Sequence, residues 1–74
     1  MKLVEIRRSR LMSTRELSKQ ASVARKTIND IEQGRVTPAL FTIRKLCDAL
    51  NVDPMDVDEF RDAIRGKELA LASM

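Results

Sequence analysis

Seventy-four residues allow one domain with a small core. Aromatics at 3% against 43% hydrophobic residues favour aliphatic helix packing over a β-sandwich. The net charge of +3 is unevenly spread: residues 1–45 hold eleven Lys/Arg against four Asp/Glu, and residues 46–74 hold three against seven. That suits a polyanion at one end and not at the other. A single cysteine, Cys47, excludes an internal disulfide framework and fits a reducing compartment, and the lack of histidine excludes histidine catalysis. No apolar run has the length of a membrane span, and the charged N-terminus has no signal-peptide core. A cytoplasmic protein is expected.

Leu3, Ile6 and Leu11 mark a first helix over roughly 2–10, with Arg7, Arg8 and Arg10 on its outer side. Ser13-Thr14-Arg15-Glu16 has the form of a capping box and opens a second helix with Leu17 and Ala21 inward. Ser22, Val23 and Ala24 form a turn. A third helix follows over about 25–33, with Ile28 and Ile31 inward and Gly34 as its left-handed stop. Thr37-Pro38 suits the start of a fourth helix, with Leu40, Ile43, Leu46, Cys47 and Leu50 on one stripe and Asn51 as its stop. Asp53-Pro54 starts a fifth, with Val57, Phe60 and Ile64 inward. Gly66 interrupts the pattern, so a domain over 1–65 and a tail over 66–74 are expected, the tail helical or disordered.

Residues 12–34, MSTRELSKQASVARKTINDIEQG, carry the functional signal. Two short amphipathic helices are joined by a three-residue turn, and the second presents Arg25, Lys26, Asn29 and Asp30 on its polar side. That arrangement suits insertion of one helix into a DNA major groove. Arginine and lysine can donate to guanine O6 and N7, asparagine matches adenine N6 and N7, and aspartate can accept from the cytosine amino group. Other readings stay open: Arg25 and Lys26 also suit plain phosphate attraction or a solvated face, and Asp30 suits an ion pair with a neighbouring cation. Arg35 and Thr37, just past the third helix, and Thr42 and Arg44, near the fourth, are placed for the DNA backbone; Arg35 equally suits a free loop charge.

The chain resembles the helix-turn-helix family of phage repressors and Cro proteins, the XRE family, over residues 3 to about 60. The resemblance rests on Met12-Ser13, Glu16-Leu17, Val23, Thr27-Ile28, Ile31-Glu32, Gly34, Pro38 and the stretch from Leu46 to Val52. It implies an all-α, five-helix, lambda-repressor-like domain with the motif at helices 2 and 3. It also implies a base-reading third helix carrying Arg25, Lys26, Asn29 and Asp30, and backbone contacts that include Thr14 and Thr27. Thr14 stands where the family most often has glutamine, and its reach is shorter. Ser22 replaces the usual turn glycine, where a positive φ strains serine mildly. Ala24 replaces the usual serine cap. Arg7 and Glu32 fall on positions that commonly form a partly buried ion pair between helices one and three.

These readings point to a sequence-specific DNA-binding transcriptional regulator, a repressor acting as a homodimer on a two-fold operator, with no enzymatic activity, cofactor or metal. The alternative is an antitoxin that binds a toxin protein and represses its own operon. Met55, Phe60, Ile64, Leu69 and Leu71 are the candidates for a dimer surface, with Phe60 equally suited to closing the core. Cys47 reads as a core thiol. The acidic cluster Asp53, Asp56, Asp58, Glu59 and Asp62 lacks the glycine and alternating ligand spacing of a calcium loop and reads as a solvated helix face.

Overall fold

A computed structural model describes the backbone of residues 1–72 and the side chains of residues 1–66. Among these the chain is all-helical: α1 Leu3–Ser9, α2 Thr14–Ala21, α3 Arg25–Glu32, α4 Leu40–Leu50, a 3-10 turn Pro54–Asp56, and α5 Asp58–Ala72. α2 packs against both α3 and α4, and α4 packs against the 3-10 turn and α5. Apolar residues from every helix meet in one core. Phe60, Leu3, Leu17, Ile28, Ile31, Leu46, Leu50 and Val57 lose essentially all their solvent contact. Each such side chain contributes about 1.5–3 kcal/mol on burial.

Local chemistry sets the helix ends. Ser13 Oγ accepts from the Glu16 amide at 3.1 Å and Glu16 Oε1 accepts from the Ser13 amide at 3.4 Å, so the box at 13–16 closes in both directions. α3 ends in a left-handed cap. Gly34 has φ +73°, its amide donates to the Ile31 carbonyl, and the Arg35 amide donates to the Asp30 carbonyl at 2.8 Å. Asn51 ends α4 at φ +53°.

The same paired bonds end α1, from Leu11 to the Arg8 carbonyl and from Met12 to the Arg7 carbonyl. Here the residue at φ +57° is Leu11, which is 89% exposed. Leu11 is therefore not a core residue of α1. It turns the chain outward from a region that disfavours a bulky side chain.

Further expectations change. α4 starts at Leu40, with Ala39 rather than Thr37 in the cap position, and Leu40 itself is 52% exposed. Asp53-Pro54 opens a 3-10 turn, with Asp53 Oδ1 accepting from the Met55 amide at 2.8 Å. α5 begins only after Val57, which is extended and buried and whose carbonyl accepts from the Phe60 and Arg61 amides. α5 then continues through Gly66 to Ala72, so the glycine does not end the helix.

Contacts between distant parts of the chain close the fold. The first amide of α1, Leu3, donates to Glu59 Oε1 at 3.0 Å, and the Asp58 amide donates to the Met1 carbonyl at 2.8 Å. Arg10 Nε donates to the Leu50 carbonyl at 3.1 Å, satisfying an acceptor that the end of α4 leaves open. Cys47 is buried, and burial, then Asp48 and Asp53, push its thiol up to about 11.

Candidate nucleic-acid interface

The α2–turn–α3 unit is built from short-range signals. Ser22 caps α2 in the left-handed conformation at φ +55°, and buried Val23 pins the turn to the core. Ala24 provides the first carbonyl of α3, accepting from the Ile28 amide at 3.1 Å, but has no side chain to cap the helix. Ile28 and Ile31 turn one side of α3 fully inward. Arg25, Lys26 and Asn29 are exposed on the other side. Arg25 and Lys26 stand four and three residues before Asn29, so their side chains share one face.

Asp30 is differently placed. Its side chain is 18% exposed and its Oδ1 lies 3.5 Å from Arg35 Nη1. The charge therefore sits beside the loop arginine at the far end of α3. Arg35 and Thr37 are exposed on that loop, Arg44 is exposed on α4, and Thr14 and Thr27 are half-buried at the first turns of α2 and α3. Thr42 is a correction: it is buried on the inner side of α4 next to Ile43 and cannot reach a DNA backbone.

One ion pair holds this unit against α1. Arg7 Nε donates to Glu32 Oε2 at 2.8 Å and Arg7 Nη2 donates to Glu32 Oε1 at 3.1 Å. Arg7 Nη1 donates to the Met12 carbonyl at 2.9 Å. The two side chains are 11% and 9% exposed. A single guanidinium thus ties α1, the α1–α2 turn and the last turn of α3 together in a bidentate geometry that fixes direction as well as distance.

Of the dimer candidates, Phe60 is fully buried and takes the core-closing role, and Ile64 is half-buried against the core, both inward as the stripe of helix five predicts. The helix phase of α5 is set by Val57 and Ala63, which leaves Phe60 no outward option. Met55 is 46% exposed. The side chains of Leu69 and Leu71 lie outside the described residues. Sequence reasoning missed Phe41, which is 66% exposed with Lys45 Nζ 5.5 Å above its ring. Its signal was an aromatic residue off the apolar stripe of α4.

Among the described residues no group of three or more His, Cys, Asp or Glu side chains could hold a metal ion, and no helix is long and apolar enough to cross a membrane. A family model described as helix-turn-helix matches residues 3–57. No curated protein and no solved structure gives a significant match.

Proposed function

The chain belongs to the helix-turn-helix family of Cro- and phage-repressor-type DNA-binding transcription regulators, and from that premise we propose that it is a repressor that binds a two-fold operator as a homodimer. The observation that carries this reading is the exposed Arg25, Lys26 and Asn29 face on a helix whose other end is locked by Arg7 and Glu32. A reading helix needs both an exposed donor-rich face and a fixed angle to the rest of the domain.

In this proposal Arg25, Lys26 and Asn29 contact base edges. Arg35, steadied by Asp30, binds phosphate together with Arg44, Thr14, Thr27 and Thr37. Asp30 therefore acts on the backbone contact and not on a base. One module makes few contacts, and two copies related by a two-fold axis give an inverted repeat with half-site centres about 10 base pairs apart. Occupation of such a site excludes other proteins from the same stretch of duplex.

Selection from a random duplex pool tests the reading. The expected outcome is an inverted repeat with that spacing. Affinity for it should fall with salt at a log–log slope of about −5 to −9, for roughly 6–10 neutralised phosphates. A slope near zero, or no enrichment of any sequence, refutes it.

A further inference from the structure

We infer that the outward stripe of α4 is the surface on which two copies of this chain pair, an inference that rests on the homodimer reading above. Phe41, Lys45 and Asp48 lie four and three residues apart on the exposed side of α4. They form one stripe along the helix. Leu40, half exposed, lies beside Phe41 at the first turn, and Met55 is exposed on the 3-10 turn that packs against α4. The stripe therefore reads apolar, positive, negative, apolar. Lys45 covers the Phe41 ring at 5.5 Å and holds it in place, and among the described residues neither Lys45 nor Asp48 forms an ion pair within the chain.

The charge order selects the occupant. A second α4 laid antiparallel, centred between Lys45 and Asp48, puts Lys45 opposite the partner's Asp48 and Asp48 opposite the partner's Lys45. The same placement sets Phe41 at each end towards the partner's exposed Met55, just past the end of α4. A parallel copy puts like charge on like charge. A DNA backbone meets Asp48 in the middle of the stripe and is repelled there. The pairing is self-complementary, which a closed two-fold dimer requires.

Its extent sets its strength. A helix of eleven residues spans about 16 Å, so the pair buries far less than the roughly 1,600 Å² of a standard interface. Free protein pairs weakly. Two half-sites on one duplex raise the effective concentration and complete the dimer.

Charge exchange on the full chain tests this. Sedimentation equilibrium is run on wild type, Phe41→Ala, Lys45→Asp, Asp48→Lys and the double variant Lys45→Asp/Asp48→Lys, with thermal melts to establish folding. Each single substitution should weaken self-association at least about tenfold, and the double variant, with the net charge of wild type, should return to within about threefold of it. A double variant no better than the singles overturns the inference, as does a Phe41→Ala protein that associates like wild type. Binding to a single half-site separates this from the functional proposal. Phe41→Ala should leave half-site affinity unchanged and lower affinity for the inverted repeat. Loss of half-site affinity with self-association intact gives the stripe to DNA and overturns the inference. If wild type binds no DNA, the repressor reading fails, while the sedimentation series still decides the interface.

Discussion

Glu32→Ala isolates the Arg7–Glu32 pair. The substitution leaves Arg7 Nε and Nη2 without acceptors while the guanidinium stays about nine-tenths buried. Breaking a buried pair from one side costs about 3–5 kcal/mol, because the remaining charge has lost its water and keeps only its bond to the Met12 carbonyl. A domain of 74 residues has a total stability of about 4–11 kcal/mol. The loss is therefore a large share of the whole. At about 4–8 °C per kcal/mol for a domain of this size, the melting temperature should fall by at least about 12 °C. Replacing both partners by apolar residues, Arg7→Met with Glu32→Leu, should cost far less, since the desolvation of two charges disappears with their attraction. Helical circular dichroism at 222 nm during heating measures both. DNA binding of Glu32→Ala, measured well below its melting point, should also weaken, because the last turn of α3 loses its tether to α1. A Glu32→Ala melting temperature within about 2 °C of wild type, or a double variant as unstable as the single, refutes a buried, energetically coupled pair.

Arg25→Ala and Asn29→Ala should each cost about 1–3 kcal/mol on the selected site and relax the choice at one base position, whereas Arg35→Ala should weaken all duplexes alike; competition binding against single-base variants distinguishes the two patterns. Leu11→Gly should raise the melting temperature by a few degrees, because the left-handed conformation at φ +57° costs a leucine about 1 kcal/mol and the exposed side chain forfeits little on removal; an unchanged or lower value counts against the strain. Cys47 should react with iodoacetamide at pH 8.5 about 75-fold more slowly in the folded chain than in urea, since a thiol at about 11 against 9.0 is that much less ionised. The sign follows from the raised value: folding favours the neutral thiol, so its stabilisation is complete below pH 9 and is lost as pH rises towards 11. Equal alkylation rates in the two states contradict this.

The parts of the fold that were legible in the sequence are those fixed by near neighbours. Ser13 and Glu16 meet three residues apart, Ile28 and Ile31 define the inner side of α3, and Gly34 supplies the one backbone conformation its cap needs. The misread positions depend on helix phase or on distant partners. An apolar stripe through Leu40, Ile43 and Cys47 is periodic, yet α4 is rotated so that Thr42 goes inside and Leu40 stays half outside. The stripe therefore leaves Thr42 looking free for DNA and gives Phe41 no role. Phe60 reads from the sequence both as an inward residue of α5 and as a dimer candidate, and its complete burial assigns it to the core. Glu59 carried no local mark of its bond to the Leu3 amide, and Arg10 none of its bond to the Leu50 carbonyl.

The bonds that join residues 1–3 to residues 58 and 59 have a consequence for synthesis. The helix-turn-helix unit is complete in sequence at Gly34, but the first amide of α1 receives its acceptor only when Glu59 is made. At about 5–20 residues per second, that gap of 25 residues lasts about 1–5 s. During that interval Leu3 lacks the Glu59 carboxylate, Phe60 is missing from the core, and the scaffold that Arg7 joins to α3 is unfinished. A nascent chain therefore carries both partners of the Arg7–Glu32 pair before it has the α5 residues that complete the core around them. Closure of α1 onto α5 arrives late in translation, with the first turn of α5.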